Sequence, residues 1–175
     1  MKHYKKYPST YINSAVQTLS DIGEDDRYEV ARHSSDIRML QRLVNDPSFY
    51  VRTGLVANIN TPTELLDKLS YDSNNSVVNW IPVHENVSID TLNRLAQHRS
   101  QYVRTRVANN EKTPSETLEL LANDSAEYVV SAVAANPSTP LQVLERLVVD
   151  DGTVHADYAR MNLIYNHGYD EESFN

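Results

Sequence analysis

Leucine returns at one fixed spacing through most of this chain, and this spacing restricts the fold more than any other feature. Two leucine columns lie three residues apart and recur every 26 residues, and a valine column keeps the same period. Self-similarity with a period of about 20–50 residues is typical of repeat architectures, so we expect a stack of similar units. The columns are Leu43, Leu69, Leu95, Leu121 and Leu147; Leu40, Leu66, Leu92, Leu118 and Leu144; and Val51, Val77, Val103 and Val129.

The leucine half of each unit is predicted to be a helix, because leucines three residues apart share one helical face. The segment 61–64, Thr-Pro-Thr-Glu, matches a capping box. In that box Thr61 is the N-cap, the proline takes the first helical position, and Glu64 reaches back to the N–H of the cap. The same start recurs at 113–116 and, with glutamine in place of glutamate, at 139–142.

The valine half of each unit is predicted to be a second, shorter helix. An aspartate column lies just before it, where an N-cap belongs. An asparagine column stands where this helix should end, and asparagine tolerates the left-handed conformation that commonly closes a helix. The aspartates are Asp46, Asp72, Asp124 and Asp150, and the asparagines are Asn58, Asn110 and Asn136.

Each unit is therefore predicted to be two helices with one apolar seam, which only stacking on a neighbour can bury. We expect an all-α solenoid forming a single domain, with about five repeats over residues 25–154. Residues 1–24 should form an N-terminal arm and cap helix, the helix itself over Tyr11–Gly23. Residues 155–175 should form a C-terminal cap helix and a solvated acidic tail. The basic segment Met1–Thr10 is either an arm that docks on an acidic partner or a loosely held terminus.

The unit over Tyr71–Leu95 departs from the pattern. Pro82 falls inside its short helix and should break or kink it. The Thr-Pro start is replaced at residues 85–88 by Glu-Asn-Val-Ser. Trp80, the only tryptophan in the chain, lies in this unit. It is either a specialised contact point for a partner or a side chain that fills the gap left by the irregular backbone.

In its regular repeat units the chain resembles the leucine-rich repeat variant family, whose units follow the pattern VRxxVAxNxxTPxExLxxLAxD. Residues 103–124 match that pattern, and residues 46–52 are similar to the second helix of a HEAT repeat. The resemblance covers about residues 25–154. It implies a right-handed superhelix of helix pairs, in which one helix can be of the tighter 3₁₀ type, and a role as a binding scaffold. The iron–sulfur cysteines of one family member have no counterpart, because the chain has no cysteine.

No combination of residues indicates catalysis, so we expect no catalytic residues, no cofactor and no metal. The six histidines are scattered without metal-ligand spacing. Glycine-rich phosphate loops and nucleophile-turn motifs are missing. No stretch approaches the ~20 apolar residues needed to span a membrane, and the N-terminus lacks the apolar core of a signal peptide. A cytoplasmic protein is the expectation.

The remaining candidates form a surface stripe. Tyr50, Tyr102 and Tyr128 share one repeat column, and Arg52 and Arg104 share another. Tyrosine and arginine are enriched at binding hot spots, so these side chains could form a ladder for a partner. The alternative is that the tyrosines pack between units and the arginines pair with the aspartate column. The complete set of predicted partner-binding residues is Tyr50, Arg52, Trp80, Arg99, Tyr102, Arg104, Arg106 and Tyr128.

Three functions remain open. The first is a non-enzymatic interaction module, such as an adaptor, scaffold or inhibitor, that binds another protein along one solenoid face. The second is nucleic-acid binding through a basic island at Arg94–Arg106, since residues 91–110 hold four arginines, one histidine and no acid. The net charge of −8 argues against it, because tight nucleic-acid binders carry a basic footprint. The third is an enzyme with a site in the solenoid groove, for which no residues can be assigned.

Overall fold

The structure, a computed structural model, describes residues 19–150 and 152–174. Within these ranges there are eleven α-helices, three short 3₁₀ turns and no strand. The 3₁₀ turns are Leu19–Asp21, Ile81–Val83 and Glu171–Phe174. The helices are α1 (Glu24–His33), α2 (Ile37–Leu43), α3 (Phe49–Val56), α4 (Thr63–Leu69), α5 (Asn75–Val78), α6 (Ile89–Leu95), α7 (Gln101–Ala108), α8 (Ser115–Leu121), α9 (Glu127–Ala135), α10 (Leu141–Leu147) and α11 (Val154–His167).

The helices alternate as the repeat predicts, so the all-α, solenoid-type fold is confirmed. The leucine columns lie on α2, α4, α6, α8 and α10, and the valine column lies on α3, α5, α7 and α9. Leu40, Leu66, Leu92, Leu118 and Leu144 are fully buried, and so are all four valines of the column. Burial of each such leucine contributes about 1.5–3 kcal/mol, so the repeated columns form the core.

The chain divides into two compact units, with the boundary between Val77 and Val78 inside α5. In unit 1, which ends at Val77, the second helix of one pair packs on that of the next, α1 against α3. In unit 2, which begins at Val78, α9 packs between α7 and α11, and α7 also contacts the 3₁₀ turn at Ile81–Val83. The second helices of unit 2 therefore form one continuous layer.

The predicted capping box is wrong in its detail. The helices begin one residue later than expected, with Pro62, Pro114 and Pro140 as N-caps and without a side-chain cap bond. The preceding threonines are buried, and their hydroxyls donate to the last turn of the helix before them. Thr113 Oγ1 lies 2.6 Å from Val107 O, and Thr61 and Thr139 repeat this bond. These carbonyls lack an intrahelical partner, so the threonine closes the earlier helix instead of opening the later one.

The predicted left-handed asparagines are also wrong, since only glycines have positive φ among the described residues. Asn136 has φ −73° and ψ 124°. Its buried amide nitrogen donates to Ala108 O at 2.6 Å and Asn110 O at 3.0 Å, in the preceding repeat. Asn58 makes the equivalent pair of bonds in unit 1. A buried amide must satisfy both N–H groups, and the neighbouring repeat supplies the acceptors.

Asp46 and Asp124 lie two residues before the N-caps of the following helices, and Asp150 lies three residues before Thr153, so none of these aspartates is itself an N-cap. Asp46 Oδ1 accepts the backbone N–H of Ser48, the N-cap of α3, at 2.9 Å. Asp124 Oδ1 does the same for Ala126, the N-cap of α9. The aspartate column therefore orders the turn that leads into the second helix.

Pro82 has the predicted effect, because α5 ends at Val78 and the chain continues as the 3₁₀ turn Ile81–Val83. The expected 3₁₀ character is confined to this repeat, since the other second helices are α-helical.

The two chain ends differ from expectation in part. The predicted arm Met1–Thr10 lies outside the described residues, as does most of the predicted helix over Tyr11–Gly23, whose described end is a 3₁₀ turn. At the other end α11 stops at Gly168 with φ 76°, as predicted. The acids of the tail are exposed as expected, but the tail is ordered, since Tyr169 donates to Glu145 at 2.7 Å.

Candidate protein-interaction face

The second helices of unit 2 expose large side chains on one face. Val103 and Val107 are buried on α7, whereas Tyr102 and Arg106, each one residue earlier, share a neighbouring face that is more exposed. Equivalent positions on α9 and α11 extend this surface, because the three helices pack side by side. We call it the aromatic face, and it consists of Trp80, Tyr102, Arg106, Tyr128, Val154, Tyr158, Met161 and Tyr165.

The apolar members of the aromatic face are well exposed. Tyr102 is 66%, Tyr128 73% and Tyr165 76% exposed. On α11 the stripe follows positions i, i+4, i+7 and i+11, which is the spacing of one helical face. A soluble monomer rarely leaves a large contiguous apolar patch uncovered unless it contacts a partner.

Trp80 and Arg106 lie together at the α7 end of this face. They occupy the same position in consecutive repeats, and Arg106 Cζ lies 4.0 Å from the centroid of the Trp80 ring. A cation over an indole ring is worth about 0.5–1 kcal/mol at an exposed site. Trp80 remains 56% exposed, so its ring does not fill a gap in the core. Within the part of the chain that the structure describes, Arg106 has no carboxylate partner.

Small residues separate the larger side chains in the middle of the aromatic face. Ala132 occupies the repeat position of Trp80 and Arg106, and the same position on α11 is Tyr158. Ala132 and the adjacent Ser131 are buried. The small side chains of α9 therefore lie between the longer side chains of α7 and α11.

The acids beside the aromatic face are already paired. Glu127 Oε1 lies 2.7 Å from His155 Nδ1, and this hydrogen bond lowers the pKa of Glu127. The other ring nitrogen of His155 is 3.3 Å from Asp150. Asp157 pairs with Arg160 at 3.3 Å. The acids are thus compensated locally, whereas the charge of Arg106 is not.

Two predicted partner-binding arginines are part of the fold, as the alternative interpretation holds. Arg104 donates to both carboxylate oxygens of Asp124 at 2.6 and 2.8 Å, and to His98 O at 2.8 Å. Arg52 contacts Asp72 in the same two-pronged way in unit 1. The hydrogen bond from Arg104 lowers the pKa of Asp124 despite its burial. Arg52 and Arg104 therefore join consecutive repeats and are not part of the aromatic face.

Tyr50, another predicted binding residue, packs between repeats of unit 1. Its ring stacks on Tyr28 with centroids 4.1 Å apart and planes 11° apart. Gly54 makes this possible, because a Cβ at that position would lie 3.0 Å from Tyr28 O and from Ala31 Cβ. The same tyrosine column therefore contributes a ring stack between repeats in unit 1, where Tyr50 is 41% exposed, and a more exposed surface in unit 2.

The basic island is less basic than its sequence suggests. Arg104 is neutralised by Asp124, whereas Arg106, over the Trp80 ring, keeps its charge. His98 occupies the aspartate column, and its Nδ1 accepts the Ser100 N–H at 3.1 Å as an aspartate oxygen would. Burial, followed by the nearby charges of Arg99 and Arg104, lowers the pKa of His98. Arg99 is exposed but lies outside the aromatic face.

Half of the aromatic face was missed from sequence. The prediction treated α11 as a cap and considered only its buried side, which holds Ala156, Ala159 and Leu163 as expected. The signal was present, because Val154 lies 26 residues after Tyr128 and Tyr158 lies 52 after Arg106. α11 is therefore the second helix of one further repeat.

Two features that the described residues lack bear on function. They contain no group of three or more histidine, aspartate or glutamate side chains placed to hold a metal ion. None of their helices has the length and apolar character required to cross a bilayer.

The geometry defines a helical repeat protein of solenoid type. A solved structure described as a leucine-rich repeat variant with a novel repetitive protein structural motif is similar to it, with a TM-score of 0.66 and 19% sequence identity. The match covers 92% of this chain and 62% of that one. The resemblance seen in the sequence is thus confirmed at the level of the fold. No protein-family model matches the sequence, and no curated protein does either.

Proposed function

We propose that this protein is a non-enzymatic interaction module, an adaptor, scaffold or inhibitor, that binds another protein through the aromatic face of unit 2. The observation that supports this most strongly is the alignment of exposed aromatic side chains on three packed helices, α7, α9 and α11. Tyrosine, tryptophan and arginine are the residues most enriched at binding hot spots. Their combination on one surface is what a protein partner would use.

The position of these side chains on packed helices favours high affinity for a partner. Tyrosine and tryptophan have two side-chain torsions each, so they lose little conformational entropy when a partner orders them. The helices beneath them are packed through fully buried residues such as Val103 and Val129. A surface that is already ordered loses less conformational entropy on binding, so more of the interaction free energy contributes to affinity. We keep the cytoplasmic location expected from the sequence as part of this proposal.

Nucleic-acid binding has weaker support. Phosphate contacts dominate nucleic-acid affinity and require several available cations. Arg104 is tied to Asp124, and the aromatic face itself carries one arginine, Arg106. The protein as a whole has a net charge of −8. These observations favour a protein partner.

A photo-crosslinking experiment tests the interaction function. A photoreactive phenylalanine analogue replaces Tyr128 in one variant and Tyr71 in another. Both tyrosines are 73% exposed, but Tyr71 lies in unit 1 and outside the aromatic face. We expect a discrete protein adduct from position 128 and none from position 71.

The captured protein is then purified and titrated by calorimetry. The double variant Tyr102→Ala, Tyr128→Ala should weaken its binding at least tenfold, because each hot-spot tyrosine contributes about 1 kcal/mol or more. Tyr71→Ala should bind like the unmodified chain. Equal affinity for all three proteins would exclude the aromatic face as the binding surface.

A further inference from the structure

We propose that the aromatic face binds an extended polyproline II segment that carries a carboxylate beside Arg106. The inference rests on the interaction function proposed above and specifies the chemistry of the partner. The segment would cross α7, α9 and α11 roughly at right angles, with one turn of the peptide over each helix.

The spacing of the repeat matches the period of polyproline II. Packed helices lie about 8–10 Å apart, so equivalent side chains such as Tyr102 and Tyr128 are separated by about that distance. A polyproline II helix has three residues per turn and a rise of about 3.1 Å, which places one residue of the same face every ~9 Å. In a β-strand the corresponding distance is about 7 Å. One proline face of the peptide can therefore meet the same repeat position on each successive helix.

The chemistry of the face also suits this conformation. Polyproline II has no internal hydrogen bonds, so its carbonyl groups seek outside donors. The hydroxyls of Tyr102 and Tyr128 have no hydrogen-bond partner within the described ranges, and both rings are exposed. Proline-rich segments dock on aromatic-lined surfaces, where the rings pack against the pyrrolidines and their polar ends reach carbonyl oxygens. An α-helical partner would offer few such carbonyls, because it bonds them internally.

Charge complementarity selects the carboxylate. Arg106 is the cation of the aromatic face, it is half-buried against Trp80, and no acid of the described chain neutralises it. The neighbouring acids Glu127 and Asp157 are occupied by His155 and Arg160. A carboxylate on the peptide would therefore find one unpaired partner at the α7 end of the face. A charge-assisted bond there would fix the register of the peptide.

The arrangement also predicts the length of the segment. Three helices with one peptide turn each correspond to about nine residues, since each turn of polyproline II has three. One carboxylate should lie in the turn over α7, beside Tyr102 and Arg106, and prolines in every turn should pack against the side chains of α7, α9 and α11.

Fluorescence anisotropy with labelled nine-residue peptides, at about 0.15 M salt to limit long-range repulsion, tests the inference. The probes are three Glu-Pro-Pro turns, three Gln-Pro-Pro turns and three Glu-Gly-Ser units, the last having equal charge but no stiffness. An acidic alanine-rich helical peptide and an oligouridine of nine nucleotides complete the set. We expect Glu-Pro-Pro to bind at least tenfold more tightly than Glu-Gly-Ser, and several-fold more tightly than Gln-Pro-Pro.

Variants assign the binding to the face. R106Q should abolish the preference for Glu-Pro-Pro over Gln-Pro-Pro while leaving Gln-Pro-Pro binding in place. The double variant Tyr102→Ala, Tyr128→Ala should weaken both proline peptides at least tenfold. Tyr71→Ala, the matched control, should leave all affinities unchanged. Circular dichroism establishes that each variant is folded.

Other outcomes overturn the inference and identify what replaces it. Tighter binding of the helical peptide would indicate a helical partner, and tighter, strongly salt-dependent binding of oligouridine would indicate a nucleic acid. A dimer in sedimentation that the tyrosine double variant abolishes would show that a second copy covers the face. If no peptide binds while the crosslinked partner still requires Tyr102 and Tyr128, the polyproline inference fails and the interaction function stands. If the crosslinked partner also binds without Tyr102 and Tyr128, the proposed interaction function is wrong as well.

Discussion

Tyr50 in unit 1 and Tyr102 in unit 2 occupy the same position of the repeat but have different surroundings. Tyr50 stacks on Tyr28 in the preceding helix pair and is 41% exposed, whereas Tyr102 is 66% exposed. The difference arises four residues later, where unit 1 has Gly54 and unit 2 has Arg106. The glycine leaves space for the Tyr28 ring, and the arginine lies over Trp80 instead. The residue at this neighbouring position therefore goes with a stacked tyrosine in unit 1 and an unstacked Tyr102 in unit 2.

The two units nevertheless share the polar contacts that join consecutive repeats. Each has an arginine bound to an aspartate 20 residues later, Arg52 to Asp72 and Arg104 to Asp124. Each also has a buried asparagine that bonds carbonyls of the preceding repeat. The units therefore differ in their surface side chains and agree in the contacts that join repeats. The following predictions test that separation.

The largest effect should come from the shared core. Leu66→Ala in unit 1 and Leu118→Ala in unit 2 should each lower the free energy of unfolding by about 2–5 kcal/mol, because both leucines are fully buried. Leu120→Ala, at a half-exposed position on α8, should change it by less than about 0.5 kcal/mol. Urea denaturation provides the measurement. A small effect in one unit and a large one in the other would show that the cores differ.

The second-largest loss in the free energy of unfolding should come from the arginine–aspartate pairs. Arg52→Ala and Arg104→Ala should each cost about 1.5–3 kcal/mol at pH 7, since each leaves an aspartate without its charged donor. Arg38→Ala is the control, because the Arg38 side chain is 90% exposed, and it should have little effect. Urea denaturation at pH 7 measures all three.

The destabilisation caused by Arg52→Ala and Arg104→Ala should disappear at acidic pH. Burial raises the pKa of Asp72, but hydrogen bonds from Arg52 and the Asn74 N–H outweigh it and lower the pKa. The pKa of Asp124 is lowered too, first by the hydrogen bond from Arg104. A depressed pKa stabilises the fold above the unfolded value, about 3.9, and this contribution disappears as the pH falls through the folded value. The difference between Arg104→Ala and the unmodified chain should therefore narrow below about pH 4. A constant difference down to pH 2 would contradict this.

The asparagine contacts should have a similar or slightly smaller effect. Asn58→Ala and Asn136→Ala each remove two hydrogen bonds from buried carbonyls, which should cost about 1–3 kcal/mol. Asn123→Ala is the matched control, because Asn123 is exposed, follows the end of α8 and bonds only back to that helix, at Glu119 O. Thermal melts of the three variants would separate them. A control as destabilising as Asn136→Ala would mean that the loss of a local side-chain hydrogen bond, not the link between repeats, sets the effect.

Gly54→Ala tests why the two units differ. The added Cβ would lie 3.0 Å from Ala31 Cβ and the backbone oxygen of Tyr28, neither of which can move freely. We expect a loss of about 1–3 kcal/mol and a changed near-ultraviolet circular dichroism spectrum as the tyrosine stack shifts. Ala132→Gly, at the same repeat position in unit 2, should cost only the ~0.5–1 kcal/mol of a glycine in a helix. Equal costs with an unaltered tyrosine signal would show that Gly54 does not hold the stack.

The smallest effect compares the tyrosines directly. Tyr50→Ala should destabilise the protein by about 0.5–1.5 kcal/mol through loss of the stacked pair. Tyr102→Ala and Tyr128→Ala should each change stability by less than about 0.5 kcal/mol, because both side chains face solvent. Chemical denaturation resolves this difference. Large losses at Tyr102 or Tyr128 would mean that the aromatic face supports the fold rather than a partner.

Much of the fold could be predicted from the sequence, and about half of the candidate site. The leucine and valine columns located the helix pairs, and Pro82 located the break after α5. Trp80, Tyr102, Arg106 and Tyr128 belong to the predicted partner-binding set and lie on the aromatic face. Val154, Tyr158, Met161 and Tyr165 were missed, because the apolar residues of α11 on its buried side already explained a cap helix. Tyr50, Arg52 and Arg104 were placed in the binding set, although contacts within the fold engage them.

The amino-acid pattern alone determined the period, the helix positions and the buried columns, because burial and helix formation depend on residue type and short-range spacing. Only the tertiary structure decided what the polar residues do. Asn136 finds its acceptors 26 and 28 residues back, and Arg104 finds Asp124 20 residues ahead. A local motif offers a threonine, asparagine or arginine several partners of similar strength, and packing against the next repeat selects among them. The surroundings of the tyrosine column depend on the same packing, since Gly54 leaves room for the Tyr28 ring that stacks on Tyr50.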